Sequence, residues 1–494
     1  MYIGVDIGTS ATKTLLIDSS GKVTRSATRE YPLSVPKNGW AEQDPALWWD
    51  AAIETIREVT DGLDGAAVKA LGLTGQMHGL VCLDSGDRVL RPAILWCDQR
   101  TAAECEEITS LVGARRLIEL TANPALTGFT SPKILWIRNN EPAIYGKIVK
   151  IMLPKDYIRY MLTGENASDM SDASGTGLLN VAKRNWDGEV LSKLDVDPSW
   201  LGKLYESPEI TGRISPKASA LTGLPAGTPV VAGAGDNAAA AIGTGVAKDG
   251  QAFVTIGSSG VVFAHTSRMR LDPGGRAHTF CAAVPGEWHI MGVTLAAGFS
   301  LKWFRDNFAP GVSYKQLDEM AIKTPIGAEN LLYLPYLNGE RTPHLDPEAR
   351  GAFVGLSAMH ETAHMARAVM EGVAYSLRDC YEVMREMGAR FEEITACGGG
   401  MESGFWQQMT ADVFDARVVT TQSTDGPALG AAMLAAVGDG AYASVPQACE
   451  AVISLTGARE PDKTAYNAYM EYYGVYRGLY QALKGSYEKL RALR

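Results

Sequence analysis

The amino-acid sequence predicts an α/β protein made of two similar domains that face each other across a central cleft. Three observations predict this fold class: two similar loop segments half a chain apart, a length of 494 residues that exceeds what one hydrophobic core usually serves, and strands that alternate with helices. The paired segments are Val5–Ala11 and Val254–Gly260, and each is a short apolar run that enters a Gly-Ser/Thr turn. Turns of this kind direct backbone N–H groups and hydroxyls at an anion such as phosphate. We therefore expect a duplicated domain with one anion-binding loop in each copy.

The first domain begins with a predicted three-stranded meander and a helix. Apolar runs separated by short turns predict strands at Tyr2–Gly8, Thr12–Asp18 and Lys22–Glu30. Helical periodicity covers Asp44–Thr60, which opens with the Asp-Pro pair that is typical of a helix start. A further strand at Val68–Thr74 leads into a loop bounded by glycines, and functional residues are often carried by such loops.

The second domain repeats this alternation. A second sheet is predicted to begin at Gln251–Thr266, and long helices are predicted near Glu361–Met387 and Phe405–Asp415. The glycine run Cys397–Gly400 follows a strand at Glu393–Ala396, and glycines at a strand-to-helix junction permit close approach of a nucleotide. Many glycine runs are only turns, and the sequence contains neither a GxxxxGK[ST] nor a GxGxxG motif. P-loop and Rossmann nucleotide binding are therefore disfavoured.

The domain junction is predicted in the segment Gly223–Gly235, which is rich in Gly, Pro and Ala. We place the two domains at residues 1–240 and 241–494. A C-terminal helix over about 464–494 carries a stripe of tyrosines at helical spacing. Packing of this stripe onto its own domain is favoured, and a dimerising surface or packing back between the domains are the alternatives.

Composition limits the classes of partner. The chain is 46% hydrophobic and 21% charged, and its net charge of −10 has no compensating basic block, which argues against nucleic acid or a membrane as a partner. The seven cysteines are scattered without a CxxC pair, as suits reduced thiols in a cytosol. No signal-peptide pattern and no apolar run of about 18 residues occurs. We therefore expect a cytoplasmic protein.

Two carboxylates suit phosphoryl transfer, which needs one acid to position Mg²⁺ and another to take the proton of the attacking hydroxyl. Asp6 ends the first strand and suits the metal role. Asp236 suits the role of base because Gly233-Ala234-Gly235 lets the backbone approach closely and an alanine-rich helix follows. A plain helix N-cap is the alternative for Asp236. The duplicated loops favour the catalytic interpretation, with the metal held by both carboxylates through water.

In order along the chain, several blocks resemble the signatures of the FGGY family of carbohydrate kinases. They are Asp6–Ser10, Gly75–Gly79, Gly128–Trp136, Gly235–Ala239, Thr255–Gly260, Gly351–Glu371, Cys397–Gly400 and Asp425–Gly430. The resemblance covers nearly the whole chain. It implies the actin-like and hexokinase-like fold, a duplicated ribonuclease-H-like domain, with sugar binding and the catalytic carboxylates in the first domain and nucleotide binding in the second.

The resemblance also implies roles for individual residues. It makes Asp236 the catalytic base and Asp6 the residue that positions Mg²⁺ and ATP. The implied contacts to the sugar are Met77, His78 and Asn237. The implied contacts to ATP are Gly8, Thr9, Thr12, Gly257, Ser258, Gly399 and Gly400. Without the surrounding match, a lone histidine such as His78 is more often structural, although an imidazole can both donate to and accept from sugar hydroxyls.

The activity that the resemblance implies is ATP-dependent phosphorylation of the terminal primary hydroxyl of an open-chain ketopentose, with D-xylulose giving D-xylulose 5-phosphate as the first expectation. The alternatives are ribulose, erythritol or glycerol as the acceptor, or a sugar-sensing regulator or actin-like ATPase scaffold on the same fold. Retention of both Asp6 and Asp236 favours the enzyme. No motif encodes the pocket shape that selects one sugar stereoisomer. A homodimer is common in the family.

Two further blocks match the family without an obvious role. Trp96, Asp98 and Arg100 stand close together in the first domain, and Glu340–His344 lies in the second. We expect domain packing for both blocks. An Asp and an Arg two residues apart more often tie a loop by an ion pair than contact a substrate.

Overall fold

The computed structural model describes residues 1–422 and 425–493, so Arg494 of the predicted C-terminal helix lies outside the described residues. In the first half the strands are β1 (Tyr2–Ile7), β2 (Ala11–Ile17), β3 (Val23–Glu30), β4 (Glu42–Gln43), β5 (Ala70–Gly75), β6 (Val81–Leu83), β7 (Ala93–Ile94), β8 (Lys150–Met152), β9 (Ala167–Asp169), β10 (Leu179–Asn180), β11 (Asn185–Trp186), β12 (Lys203–Tyr205), β13 (Ile210–Arg213), β14 (Pro229–Val231) and β15 (Ala234–Gly235). The helices there are α1 (Pro45–Thr60), α2 (Ala102–Val112), α3 (Ala114–Thr121), α4 (Thr130–Asn140), α5 (Pro142–Tyr145), α6 (Pro154–Thr163), α7 (Met170–Ala173), α8 (Gly188–Leu194), α9 (Pro216–Thr222) and α10 (Asp236–Gly243).

The second half has fewer and longer elements. Its strands are β16 (Gln251–Ile256), β17 (Gly260–Thr266), β18 (His278–Cys281), β19 (Trp288–Thr294), β20 (Leu332–Leu334), β21 (Ala352–Val354), β22 (Glu393–Cys397), β23 (Arg417–Thr421) and β24 (Leu455–Arg459). Its helices are α11 (Gly298–Phe308), α12 (Tyr314–Lys323), α13 (Thr362–Glu386), α14 (Gly404–Phe414), α15 (Gly426–Gly438), α16 (Val445–Val452) and α17 (Lys463–Ala492).

Each half of the chain builds one large mixed sheet, and the two sheets share a core topology. The first has the strand order β13-β14-β5-β1-β2-β3, with β15 also on β5, and the second has the order β18-β19-β17-β16-β22-β23-β24. In the first, β1 is antiparallel to β2 and parallel to β5. In the second, β16 is antiparallel to β17 and parallel to β22. The predicted duplication of an α/β domain is therefore present in the fold.

The local predictions for the start of the chain are confirmed to within a few residues. The meander β1-β2-β3 and the helix α1 form where the apolar periodicity places them. The Asp44 side chain accepts a hydrogen bond from the backbone N–H of Ala46, which satisfies one of the unpaired donors at the helix start.

The helix α15 connects the two halves. Although it belongs to the second half of the sequence, it packs on β1 and β5 of the first sheet and along α10. Contact is close enough that a Cβ at Gly4 would lie 2.0 Å from the carbonyl oxygen of Ala428, and a Cβ at Gly72 would lie 2.0 Å from that of Ala431. Division of the chain at residues 240 and 241 thus separates the two sheets, but α15 packs across that division.

The tyrosine stripe of α17 packs onto its own domain. Its buried members are Tyr469, Tyr473, Tyr476, Tyr480 and Tyr487. They join the core that α13 and α14 form in the second half of the chain. The hydroxyls of Tyr469, Tyr473, Tyr476 and Tyr480 form hydrogen bonds, such as the 2.6 Å bond from Tyr473 to Asp379, whereas that of Tyr487 has no partner among the described residues. Among residues 1–422 and 425–493, no helix is long and apolar enough to cross a membrane.

Candidate active site

The predicted functional loops follow the carboxyl ends of parallel strands. Asp6 of β1 pairs with Thr74 of β5, and Thr74 in turn pairs with Ala234 of β15. Adjacent strands are about 5 Å apart, so Asp6 and the residues after Ala234 lie about 10 Å apart along one sheet edge. In open α/β sheets this edge is where ligands bind. The register therefore brings Asp6, the loop after β5 and Asp236 together.

Asp6 lies partly exposed at this edge. Its Oδ1 atom is buried and accepts no hydrogen bond within the described part of the chain. Burial, with the nearby charge of Asp236 as a second cause, raises the pKa of Asp6 to about 7, while Lys13 opposes the rise. Lys13 itself forms an ion pair with Asp425, just before α15.

Asp236 is the first residue of α10 and is braced by its neighbour. The Oδ1 atom accepts hydrogen bonds from the backbone N–H of Asn237 at 2.7 Å and from its side-chain Nδ2 at 2.9 Å. Burial raises the pKa of Asp236 to about 6, and the two bonds from Asn237 oppose that rise. Asp236 does not act as an N-cap, because Gly235 occupies that position. A carboxylate with a pKa near neutrality is suited to general base catalysis.

Hydrogen bonds and a buried side chain hold the first anion-binding loop in place. Gly8 N–H donates to the Ala11 carbonyl at 3.0 Å, which closes the turn. The Trp96 indole N–H donates to the Thr9 hydroxyl at 2.9 Å. Thr12 is fully buried and shares a 3.3 Å hydrogen bond with the hydroxyl of Tyr31, so its side chain supports the loop and does not reach the cleft surface.

His78 occupies a constrained position in the loop after β5. Its backbone has a φ of 68°, a left-handed conformation that is uncommon for residues other than glycine. The buried ammonium of Lys133 donates to the His78 carbonyl at 2.8 Å and to the Gly128 carbonyl at 2.7 Å. The ring stacks on Phe129 with centroids 4.6 Å apart. Burial, assisted by Lys133, lowers the pKa of His78 to about 3, so the ring is neutral.

Met77 is less accessible than its neighbour. The side chain is 4% exposed, and its Sδ atom would lie 3.1 Å from a Cβ placed at Gly235. It therefore fills the space beneath the segment that carries Asp236. Any contact of Met77 with a ligand is confined to the small part of the residue that remains accessible.

The second half contributes a cavity of about 670 Å³ beside its own sheet edge. Its lining includes four of the predicted ATP contacts, namely Gly257, Ser258, Gly399 and Gly400. No atom of the described residues lies within 4 Å of a Cβ built on Gly399, so that position faces open space. A Cβ on Gly400 would instead lie 2.4 Å from the Ile256 side chain, so this glycine is required for packing.

The residues present fit a nucleotide and a hard divalent cation. The cavity volume is within the range of small-molecule sites, and its lining includes Lys302 and Lys315 beside the acids Asp318 and Glu402. It adjoins the start of α11, where the N–H groups of Gly298 and Phe299 donate to the carbonyls of Gly257 and Ser258. Carboxylate oxygens are the ligands that Mg²⁺ prefers, and the unpartnered Oδ1 of Asp6 is such a donor.

The two blocks without an obvious role, Trp96–Arg100 and Glu340–His344, form buried polar contacts. Arg100 forms a bidentate ion pair with Asp98, with the shortest contact at 2.6 Å, and also reaches Glu42 at 2.7 Å, so the predicted loop-tying pair is present. Glu340 is buried and accepts from the hydroxyls of Thr294 and Ser376 at 2.6 and 3.0 Å. Both blocks therefore hold backbone segments in place.

Trp96 differs from the expectation of domain packing. It is 44% exposed and lies on Thr9 at the cleft. Sequence reasoning also missed Lys133 and the cavity residues Lys302 and Asp318. The run Ala296-Ala297-Gly298 at the start of α11 is a small-residue helix start that could have indicated Lys302, whereas Asp318 lies on α12 and had no such signal. No sequence pattern indicated the role of Lys133, because only the folded chain brings its ammonium to the loop that carries His78.

Comparisons with known proteins agree over the full length. Residues 1–243 match the N-terminal domain of the FGGY family of carbohydrate kinases, and residues 252–438 match its C-terminal domain. The xylulose kinase of Bacillus subtilis (strain 168) is 39% identical over 494 residues, which are 100% of this chain and 99% of that protein. The xylulose kinase of Escherichia coli (strain K12) is 42% identical over 485 residues, 98% of this chain and 99% of that protein. The ligand-bound xylulose kinase structure from Lactobacillus acidophilus superposes with a TM-score of 0.94 at 30% identity, and the match covers 99% of both chains.

Proposed function

The chain belongs to the FGGY family of carbohydrate kinases, and from this premise we propose that it transfers the γ-phosphoryl group of ATP to the terminal primary hydroxyl of an open-chain ketopentose, D-xylulose above all. The product is D-xylulose 5-phosphate. The observation that carries the choice of sugar is the full-length similarity to xylulose kinases at about 40% identity. The fold alone would not make this choice, because one fold hosts kinases for different acceptors.

Asp236 is the proposed base. Asn237 holds its Oδ1 atom, while Oδ2 makes no hydrogen bond within the described residues and is available for the proton of the attacking hydroxyl. Rigid attachment matters because a base must be within hydrogen-bond reach of the proton that it abstracts. The neutral ring of His78 and the amide of Asn237 are the proposed partners of the sugar hydroxyls.

The remaining predicted residues hold ATP and its metal. Asp6 positions Mg²⁺ through the water ligands of the ion, and Asp236 also contacts the ion through water. Mg²⁺, when bound with the nucleotide, neutralises part of the phosphate charge and orients the transferred group. Gly8 and Thr9 face the transferred phosphate, and Gly257, Ser258, Gly399 and Gly400 hold the nucleotide from the second domain. Closure of the cleft would exclude water, which otherwise competes with the sugar as acceptor.

The setting of the enzyme follows from the same proposal. We place it in the cytoplasm as a homodimer with the sugar and ATP as its partners and with neither nucleic acid nor membrane. The net charge of −10 without a basic block supports the last two points. Light scattering coupled to size-exclusion chromatography measures the molar mass of the protein in solution and so tests the proposed dimer.

The experiment that tests the function measures ADP release from purified protein with Mg²⁺ and ATP against D-xylulose, D-ribulose, erythritol and glycerol, with Asp236→Asn as the matched control. We expect the highest kcat/KM with D-xylulose and strongly reduced turnover in the variant. A higher kcat/KM with D-ribulose would overturn the choice of sugar. ADP release that does not depend on any of the four acceptors would favour an ATPase.

A further inference from the structure

Asp156, Asp169 and Asp172 form a buried group of charged side chains beneath the segment that carries Asp236. Their carboxylate oxygens lie within 4.8 Å of one another. The ammonium of Lys155 on α6 stands among them, 2.6 Å from both Asp156 and Asp169 and 3.4 Å from Asp172. Because Lys155 occupies the position of a cation, these carboxylates are an ion cluster of the protein itself and not a metal site. We call these four residues the Lys155 cluster.

The Lys155 cluster is connected to the backbone of the proposed base through one hydroxyl. Ser171 donates from its Oγ atom to Asp169 Oδ2 at 2.5 Å. The same Oγ accepts the backbone N–H of Gly235 at 3.0 Å, and Gly235 immediately precedes Asp236. An unbroken chain of contacts thus runs from Lys155 through Asp169 and Ser171 to the peptide that carries Asp236.

A second connection from α6 supports the same backbone at Ala232. Arg159 on α6 binds Asp156 at 2.8 Å and donates from its other amino group to the Ala232 carbonyl at 2.6 Å. Ala232 and Gly235 bracket the turn that leads into Asp236. The side chains of Lys155, Arg159 and Ser171 are all fully buried, so water does not replace these contacts.

The segment that carries Ser171 also reaches the proposed sugar site. It continues into Gly175, whose carbonyl lies 2.7 Å from Nδ1 of His78. One short segment, from Asp169 to Gly175, therefore contacts both the peptide before the base and the ring of His78. This arrangement fixes the position of the base relative to the sugar contact.

We propose that Ser171, held by the Lys155 cluster, is a positioning residue for Asp236. The inference rests on the proposed function, since it assigns a role within that reaction. Ser171 does not take part in the chemistry. Its hydroxyl holds the Gly235 peptide so that the Asp236 carboxylate stays within reach of the hydroxyl proton. Displacement of a catalytic group by about 1 Å can reduce the rate of an enzyme by about 10²-fold.

The test compares two serine hydroxyls of the same buried region. Ser171→Ala removes the link to Gly235, whereas Ser168→Ala removes a 2.6 Å hydrogen bond to Asp156 and keeps both contacts to the backbone that carries Asp236, the one between Gly235 and Ser171 and the one between Arg159 and Ala232. We expect Ser171→Ala to lower kcat with D-xylulose by about tenfold or more. The KM values for ATP and sugar should stay within about threefold, because the ligand contacts remain. We expect Ser168→Ala to keep the kcat of the wild type and Ser171→Thr to restore most of it.

Thermal unfolding of the three variants identifies a merely structural effect. Equal losses of kcat in Ser171→Ala and Ser168→Ala, in proportion to their losses in Tm, would overturn the proposal. Wild-type kcat in Ser171→Ala would overturn it as well. An inactive wild type would overturn the proposed function and this inference together, whereas an active wild type with an unaffected Ser171→Ala variant would overturn this inference alone.

Discussion

The Nδ1 atom of His78 lies 2.7 Å from the carbonyl oxygen of Gly175. Because a carbonyl oxygen only accepts, Nδ1 carries the proton of the neutral ring, and Nε2 is left as the acceptor. The lowered pKa of about 3 keeps the ring in this form at neutral pH. A ligand hydroxyl would therefore donate a hydrogen bond to Nε2. His78 thus favours a ligand that has a hydroxyl donor at this position.

His78→Asn tests this assignment. Asparagine tolerates the positive φ of this position better than alanine does, so the loop should keep its shape. One neutral hydrogen bond contributes about 0.5–1.5 kcal/mol, so we expect a several-fold higher KM for D-xylulose. The KM for ATP should not change. Steady-state kinetics with each substrate varied in turn gives both values, and an unaltered KM for the sugar would make His78 a structural residue.

Asp236→Asn should separate binding from chemistry. The amide keeps the shape of the side chain but cannot accept the hydroxyl proton. We expect kcat to fall by about 10²–10⁴-fold, the range that is usual for removal of a general base. Calorimetric titration should show that nucleotide affinity is retained. Near-normal turnover would remove Asp236 from the role of base.

Asp6→Asn should abolish turnover that depends on Mg²⁺. The substitution removes the charge of the carboxylate that is proposed to position the ion, while it preserves the size of the side chain. Activity measured over a range of Mg²⁺ concentrations checks this. A variant with the Mg²⁺ dependence of the wild type would place the metal elsewhere.

The pH dependence should have an acid limb. Burial raises the pKa of Asp236 to about 6, and a base must be ionised to accept a proton. Protonation therefore removes activity as the pH falls through about 6, and kcat/KM for the sugar should rise with pH and level off above about 7. Because Asp6 interacts with Asp236, the apparent pKa of the acid limb belongs to the pair of carboxylates and not to Asp236 alone. Excess Mg²⁺ favours ionised Asp6 and should move its contribution to lower pH. A rate that stays flat from about pH 5 to 8 would contradict the assignment.

Gly399→Val and Gly257→Val should weaken ATP binding. Among the described residues, a Cβ at Gly399 meets no atom within 4 Å, and one at Gly257 makes ordinary contacts at 3.5 and 4.0 Å, so the fold should tolerate both substitutions. The added side chains would occupy the cavity where backbone is proposed to meet the nucleotide. Nucleotide titration by calorimetry measures the loss. Unchanged ATP affinity in both variants would show that the nucleotide binds elsewhere.

The sequence predicted those parts of the fold and the site that depend on local patterns. Strand periodicity located Asp6 at the end of β1, and the glycines before Asp236 marked a strand-to-helix junction. Contacts between distant segments carried no such pattern. The link from Ser171 to Gly235 joins residues 64 positions apart, and the packing of α15 on the first sheet depends on small residues in two distant segments. Thr12 looked like part of the anion loop, but strand alternation turns its side chain into the core.

The identity of the phosphorylated product distinguishes transfer to the terminal hydroxyl from transfer to another hydroxyl or to water. Wild-type protein is incubated with ATP, Mg²⁺ and D-xylulose, and the sugar phosphate is identified by phosphorus and carbon NMR. We predict D-xylulose 5-phosphate, with one ADP formed for each sugar phosphorylated. Phosphate on another hydroxyl, or ADP formed with free phosphate and unaltered sugar, would contradict transfer to the terminal hydroxyl.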